Sequence, residues 1–272
     1  MSSRATSFYY SFLALPADKR NAIVAVWDFC RAVDDAVDEP GERDPVSALE
    51  QWRTEVAQLY EGRVPGTPQG MRLAPFIVRF ALPRLAFEDL IDGVAMDLQR
   101  NRYETFDELR QYCLHVASAV GLICVEIFGY RDVQTRDYAI DLGIALQLTN
   151  IIRDVAPDLE RGRVYIPTED LRRFGCTEDD LRGGQLSERV RRLLAFQVER
   201  ARRFYRRANA ALPRRDERRL VAARIMGAIY FDLLRAIERS GYDVFRRRVR
   251  VARPRQAMIA GFTWLKVMGS FK

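Results

Sequence analysis

The chain has 272 residues, 48% of them hydrophobic, and a formal net charge of +7. This hydrophobic content can fill a sizeable core, which excludes a disordered protein, and no run of eighteen apolar residues predicts a membrane span. The charge is unevenly divided: residues 1–181 contain 20 basic and 30 acidic side chains, and residues 182–272 contain 24 and 7. The basic end predicts either an anionic partner, such as a phosphorylated substrate, a membrane surface or nucleic acid, or an ordinary solvated face.

Helical periodicity runs along most of the chain. Apolar residues recur every three or four positions in the segments 23–37, 47–61, 74–99, 106–128, 140–155, 188–211 and 216–239. Clusters of Gly and Pro interrupt this pattern, and strand alternation is hard to find. The pattern predicts one all-α domain over residues 1–272, with eight to ten helices packed around a central space.

The four cysteines occur singly, at Cys30, Cys113, Cys124 and Cys176, each among apolar neighbours. Without a C-x-x-C pair, this pattern favours buried reduced thiols over disulfides or a zinc site. The first residues lack the basic-then-apolar pattern of a signal peptide. We therefore predict a cytoplasmic location.

The stretch "CRAVDDAVDE", residues 30–39, places two carboxylates on one side of a predicted helix. Residues four apart share a helix face, so Asp34 and Asp38 lie one above the other, with Arg31 one turn earlier. A single pair of this kind is more often a solvated surface than a site. Its meaning depends on a second acidic stretch.

That second stretch is "QLTNIIRDVAPD", residues 147–158. Gln147, Asn150, Asp154 and Asp158 recur at helical spacing and form one stripe beside an apolar face. Proline removes a helical hydrogen bond, so we expect the helix to end or kink near Pro157, with Asp158 displaced. Two facing stripes would concentrate four carboxylates, and a hard cation would relieve their repulsion. Mg²⁺ is usually held by one or two carboxylates together with substrate phosphates, so the stripes predict a diphosphate site.

In order, spacing and wording, three motifs resemble those of the squalene and phytoene synthase family. They are "DDAVDE" at 34–39, "DGVAMDLQRNRY" at 92–103 and "QLTNIIRDVAPDLERGRVYIP" at 147–167. The resemblance covers nearly the whole chain. It implies an all-α isoprenoid-synthase fold and the head-to-head (1′-1) condensation of two prenyl diphosphates.

Within this family, "SFYYSF" at 7–12 and "SAVGLICVEIFGY" at 118–130 resemble the bacterial branch that makes presqualene diphosphate for hopanoids. The implied substrate is farnesyl diphosphate, and the implied cofactor is Mg²⁺, as two or three ions. NADPH is not expected for a reaction that stops at presqualene diphosphate. Enzymes that convert this product to squalene would be downstream partners.

The resemblance also implies roles for individual residues. The metal ligands would be Asp34, Asp38, Asn150, Asp154 and Asp158. Substrate contacts would come from Ser7, Phe8, Arg31, Gln147, Arg161 and Arg248. Residues at the reacting centre or near the diphosphate would be Asp97, Tyr112, Tyr165 and Tyr230. A one-residue shift of alignment within the Arg-rich segment would nominate Arg247 in place of Arg248.

Several alternatives remain open from the sequence. A phytoene, squalene or dehydrosqualene synthase would share these motifs, because the depth of the apolar tunnel selects the substrate chain. A basic module that binds a membrane surface or nucleic acid is an alternative of another class, although the carboxylate stripes would repel nucleic acid phosphates. The apolar and basic stretch 258–272 also predicts peripheral membrane attachment of the enzyme itself.

Overall fold

The computed structural model describes residues 9–39 and 44–269, and within these ranges it is almost entirely helical. The first five helices are α1 (Tyr9–Phe12), α2 (Ala17–Asp38), α3 (Pro45–Tyr60), α4 (Pro68–Phe80) and α5 (Arg84–Gln99). Next come α6 (Phe106–Cys113), α7 (Ala119–Phe128), α8 (Thr135–Arg153), α9 (Val155–Glu160) and α10 (Thr168–Arg173). The last are α11 (Glu178–Arg182), α12 (Glu188–Ala211), α13 (Val221–Arg239) and α14 (Arg253–Gly269).

The described residues form no β-strand, only a single bridge between Arg102 and Val164. The all-α prediction is therefore confirmed. The described residues form fourteen α-helices, more than the eight to ten predicted; nine of them have ten residues or more, and the other five are short. All four cysteines are free thiols, as predicted, and all except Cys124 are buried.

The helix predicted over 74–99 is two helices, so that part of the sequence interpretation was wrong. Ala81 closes α4 in a left-handed conformation with φ of 47°. Pro83 then disfavours helical geometry at Leu82, and α5 begins immediately after the proline. The helix predicted to begin at residue 216 begins instead at Val221, as α13, because a 3₁₀ turn over Arg214–Asp216 precedes it.

The stretch Phe106–Phe128 is helical throughout and apolar and long enough to cross a membrane. It consists of α6, a π-helical segment over Leu114–Ser118, and α7. Its neighbours are α2, α5 and α8, so it packs as a central helix of the bundle. Two glycines permit the close approach: a Cβ on Gly93 would lie 2.7 Å from Val116, and one on Gly143 would lie 2.7 Å from the Ser118 Cα.

Replacement of Gly143 by Ala is expected to destabilise the protein by about 1–3 kcal/mol, because the methyl group overlaps backbone atoms that cannot move aside. Gly261 in α14 is the matched control, since nothing lies within 4 Å of its Cβ position. There, Ala should stabilise the helix by about 0.5–1 kcal/mol. Urea unfolding of both variants tests the close packing, and equal midpoints would contradict it.

The second acidic stretch is broken into two helices, as expected from Pro157. Helix α8 ends at Arg153, Asp154 caps it, and α9 carries Pro157 in its first turn. A proline ring clashes with the carbonyl four residues earlier, which here belongs to Arg153. The stripe from Gln147 to Asp158 is therefore not one continuous helix face. The break leaves the Asp154 carboxylate at the C-terminal end of α8.

Candidate active site

Asp97 and two tyrosines form a buried hydrogen-bonded network. Asp97 lies near the end of α5, and its two oxygens accept from the Tyr112 hydroxyl at 3.0 Å and the Tyr165 hydroxyl at 2.8 Å. The two hydroxyl oxygens are 3.3 Å apart. The Tyr112 and Tyr165 rings stack with centroids 5.1 Å apart, and Tyr103 packs against both. This arrangement fixes both hydroxyls toward one carboxylate.

The charges around this network favour protonated tyrosines. Burial raises the pKa of Tyr112 well above its ordinary value, and the negative charge of Asp97 acts in the same direction. Burial also raises the pKa of Asp97, although Arg163 and the two tyrosine hydroxyls oppose that shift. Both tyrosines therefore remain hydrogen-bond donors at neutral pH.

Helix α2 supplies the first pair of carboxylates at its C-terminal end. Asp38 contacts the Arg163 guanidinium at 2.8 Å and that of Arg161 at 3.7 Å. Asp34 lies one turn earlier on the same helix and keeps solvent-exposed surface, although protein groups surround its carboxylate. Burial and the charges of Asp38 and Asp35 raise the pKa of Asp34 to about 7.

Asp154, at the end of α8, forms the other main group, and we call Asp34, Asp38, Asp154 and Asp158 together the acidic cluster. Both oxygens of Asp154 accept from Arg248, each at 2.8 Å, and Arg153 also pairs with it. Burial would raise the pKa of Asp154, but its bonds to Arg153 and Arg248 hold it below the ordinary value. Tyr230 of α13 hydrogen-bonds with Arg153 on the protein side of this cluster.

Two residues on either side of Asp154 are less well satisfied. The Asn150 amide nitrogen donates to Gln147 Oε1 at 3.4 Å, whereas Asn150 Oδ1 is buried and has no hydrogen-bond partner in the described structure. Burial and the charge of Asp154 raise the pKa of Asp158 to about 7. A buried oxygen without a donor and a carboxylate of raised pKa both indicate a place for a cation.

The donor set fits a hard cation that keeps other ligands. Asp38, Asp97 and Asp154 all lie at or near the C-terminal ends of helices, where the helix dipole adds to their negative charge. Among residues 9–39 and 44–269, no three His, Cys, Asp or Glu side chains lie close enough together to hold a metal ion by themselves. Mg²⁺ fits such a site, because it is commonly held by few carboxylates together with substrate phosphates.

Other predicted residues are placed differently. Arg31 pairs with Asp35 at 3.4 Å, one turn along the exposed side of α2, and not with Asp34 or Asp38. Arg248, rather than Arg247, turns toward the acidic cluster. Ser7 and Phe8 lie outside the described residues. Their proposed contacts with substrate remain predictions, as do the roles of the other site residues.

Sequence reasoning missed Arg153 and Arg163. The side chain of Arg163 is 14% exposed and that of Arg161 is 57% exposed, so the second arginine of the Arg-Gly-Arg motif lies deeper in the site. Arg163 belongs to the Arg-Gly-Arg motif of residues 161–163, from which the resemblance nominated only Arg161. Arg153 lies among apolar residues of the second stripe and gave no signal of its own.

A groove of about 490 Å³ lies away from these carboxylates, between α6, α10 and α12. Its walls include Phe106, Phe196, Arg173 and Arg203, with no acidic side chain. Arg–Phe stacking accounts for its shape, since the Arg173 guanidinium lies 4.6 Å from the Phe196 ring centroid. Without carboxylates, this groove lacks the features of a metal–diphosphate site.

An all-α bundle in which helix ends bring carboxylates and arginines together beside an apolar interior is the architecture of an isoprenoid synthase. The crystal structure of a dehydrosqualene synthase with a bound ligand matches it with a TM-score of 0.90 at 28% identity, covering 98% of this chain and 93% of that one. That of the squalene synthase HpnC from Alicyclobacillus acidocaldarius matches with a TM-score of 0.80 at 31% identity, covering 89% and 92%.

The sequence matches the squalene/phytoene synthase family over residues 1–255. The phytoene synthase of Arthrospira platensis is 38% identical, over 97% of this chain and 86% of that protein. The 15-cis-phytoene synthase of Synechocystis is 36% identical, over 96% and 81%. The chain belongs to the squalene/phytoene synthase family, whose reaction is head-to-head prenyl condensation. It is therefore an enzyme of the prenyltransferase type, and the alternative of a simple basic binding module is set aside.

Proposed function

We propose that this enzyme joins two farnesyl diphosphates head to head and releases presqualene diphosphate. The observation that carries the proposal is the link made by Arg163 between the acidic cluster and the buried tyrosines. Arg163 binds Asp38 at 2.8 Å, and its charge acts on Asp97, which holds Tyr112 and Tyr165. A diphosphate-binding region thus adjoins an enclosed aromatic centre where a carbocation is shielded from water.

The reaction has a simple balance. The C1–O bond of one farnesyl diphosphate breaks, and its C1 bonds to both carbons of the 2,3 double bond of the other. C1 loses a proton as the cyclopropane ring closes, and the released diphosphate is the base that the reaction itself supplies. Two substrates therefore give one presqualene diphosphate, one diphosphate and one proton, and no reductant is consumed.

The arginines and carboxylates have separate tasks in this proposal. Arg163 and Arg248 bind phosphate oxygens of the leaving group and neutralise the charge that develops as the C–O bond breaks. Asp34, Asp38, Asn150, Asp154 and Asp158 would hold Mg²⁺. When bound, Mg²⁺ would supply further positive charge for the diphosphate.

The aromatic centre has the complementary task. The stacked rings of Tyr103, Tyr112 and Tyr165 present π faces, which stabilise positive charge on carbon without reacting with it. Asp97 holds the hydroxyls of Tyr112 and Tyr165 in place. Tyr230 supports Arg153, which in turn orients Asp154.

A second candidate is phytoene synthesis from two geranylgeranyl diphosphates. Its support is the phytoene synthase activity named for the curated relatives, at 36–38% identity. The structural relatives favour the shorter chain, since squalene and dehydrosqualene each derive from two farnesyl groups. Squalene and dehydrosqualene are therefore further candidate products of the same site.

Product analysis distinguishes these candidates. The purified protein is incubated with Mg²⁺ and either farnesyl or geranylgeranyl diphosphate, with and without NADPH. We expect presqualene diphosphate from farnesyl diphosphate in both conditions and no product in EDTA. Phytoene from the longer substrate, or squalene or dehydrosqualene from the shorter, would reassign the product. A metal-independent reaction would overturn the proposed Mg²⁺ site.

The proposed setting is the cytoplasmic side of a membrane. Presqualene diphosphate carries a thirty-carbon apolar body, so it partitions into lipid, where enzymes that convert it to squalene would take it up. Nucleic acid is not a proposed partner, because the site that would meet its phosphates is rich in carboxylates.

A further inference from the structure

Helix α14 is attached firmly to the body of the protein along one side. Gln256, Ala260 and Val267 are buried against neighbouring helices, chiefly α13 and α1. At its first turn, Arg255 binds both oxygens of Asp232 in α13, at 2.9 and 3.2 Å. The orientation of α14 is therefore fixed, and its opposite side always faces outward.

The outward side of α14 is apolar. Met258, Phe262 and Leu265 follow one another at i, i+4 and i+7, and their residues are 56%, 70% and 64% exposed. Trp264, 44% exposed, lies on the flank of α14, outside this stripe. The other large apolar residues that are exposed, such as Val78 in α4, are spread over several helices and loops. Three large apolar side chains on one solvent-facing helix surface are characteristic of an interaction surface.

The chain that leads into α14 is strongly basic. Between α13 and α14, the exposed residues include Arg246, Arg247 and Arg250, and the side chain of Arg246 is 87% exposed. Arg248 of the same segment binds Asp154 at 2.8 Å, and its side chain is 49% exposed. One short segment therefore connects the acidic cluster to the start of α14 and presents positive charge at that end of the helix.

We propose that α14 docks this protein onto an anionic lipid bilayer, lying flat in the membrane interface with Phe262 and Leu265 in the acyl region. A helix with an apolar outer side and neighbouring arginines binds such a surface by apolar burial and by attraction to acidic headgroups. The face is a convex helix surface, not a groove, and its flanking charge favours lipid over a second copy of the same basic chain. The purpose of docking rests on the proposed function, since the acidic cluster would then lie close to the lipid that receives its product.

Flotation with vesicles tests the docking without any need for catalysis. The full chain is mixed at low salt with two kinds of vesicle. One contains phosphatidylcholine alone, and the other also contains about 30% phosphatidylglycerol, which gives it an anionic surface. We expect the protein to float with the anionic vesicles and to be released by high salt. Phe262→Glu and Leu265→Glu should each weaken this binding about tenfold or more, because each removes an apolar anchor and adds repulsion.

Val78→Glu is the matched control, since Val78 is 86% exposed on a different helix. It should leave flotation unchanged, and thermal melts should show that all three variants fold, because the replaced side chains face solvent. Failure to float at low salt, or equal binding by Phe262→Glu and the parent chain, would overturn the proposal. The proposal would also be overturned if the parent chain did not bind vesicles but formed a dimer that Phe262→Glu dissociates. A second copy of the chain would then cover α14. Product assays on the same variants show separately whether the proposed reaction takes place, so failure of the docking and failure of the reaction can be told apart.

Discussion

Asp34→Asn and Asp154→Asn are each expected to reduce turnover on the order of a thousandfold, but to change the stability of the metal-free protein in opposite directions. Burial and the negative charges of Asp38 and Asp35 disfavour the ionised form of Asp34, so its charge opposes folding. Asp154 is the acceptor for Arg153 and Arg248, so its charge supports folding. The two carboxylates share a proposed role toward Mg²⁺ and differ in their structural surroundings.

The magnitudes follow from exposure. The Asp34 carboxylate is open to water, so removal of its charge should stabilise the protein by only about 1 kcal/mol, which raises Tm by about 2–4 °C. Arg153 and Asp154 are 14% and 16% exposed. Loss of the Asp154 charge leaves Arg153 buried without its full partner and should cost about 3 kcal/mol.

The pH dependence of the free energy of unfolding tests the direction of the Asp34 effect. The pKa of Asp34 rises from 3.8 to about 7 on folding, so the folded state binds its proton more tightly. Its contribution to stability is complete below about pH 4 and is lost as the pH rises through 7. Thermal melts in EDTA at pH 5.5 and at pH 8 give the stability lost between these two pH values. We expect this loss to be smaller for Asp34→Asn than for the parent chain. A destabilised Asp34→Asn protein at pH 8 would show that this carboxylate is a structural partner.

Tyr112→Phe is expected to lower kcat about a hundredfold and to leave KM within about twofold. The variant keeps the ring that stacks on Tyr165 and loses only the hydroxyl that donates to Asp97 at 3.0 Å. Asp97 would then keep a single tyrosine donor, and the aromatic centre would lose its fixed geometry. The arginines and carboxylates that bind diphosphate would be unchanged, so substrate affinity should persist.

Tyr60→Phe controls for the general loss of a tyrosine hydrogen bond. Tyr60 donates to the Leu82 carbonyl at 2.8 Å, in the packing between α3 and the start of α5. Both variants should lose about 1 kcal/mol of stability, but only Tyr112→Phe should lose turnover. Steady-state kinetics and thermal melts of the pair provide the comparison. Equal kcat values would remove Tyr112 from the reacting centre.

Much of the fold could be predicted from the sequence because most helices bury one apolar side, and that side repeats every three or four residues. The helix at 188–211 was predicted with the bounds that α12 has. The division between α4 and α5 was missed although Pro83 signals a helix boundary, because the apolar periodicity continues across it; the left-handed conformation of Ala81 has no signal of its own in the sequence. The π-helical segment was missed because a single wider turn does not change the apolar spacing enough to be noticed; in the structure it packs closely against Gly93 and Gly143 of other helices.

The candidate site shows the same limit. Spacing on single helices brought Asp34 and Asp38 to notice, and the effect of Pro157 on its helix follows from local sterics. Pairings across the chain have no local signal. Arg163 reaches Asp38 over 125 positions, and the arginine in the Arg-Gly-Arg motif that lies deeper can be chosen only when burial is known. In the sequence, Arg153 looks only like a polar interruption of an apolar stripe. Its role is visible once the structure shows that it pairs with Asp154.

The contact between Arg248 and Asp154 has a consequence for the order in which the protein is made. These residues are 94 positions apart, and the arginine comes late in the chain. During synthesis, α2, α5 and α8 and their carboxylates all leave the ribosome before Arg248 does. A nascent chain that lacks residue 248 would hold an acidic cluster without one of its main counter-charges. The last part of synthesis therefore adds a positive charge that relieves the repulsion among the carboxylates made earlier. A chain that ends before residue 248 would be locally unstable at the site itself.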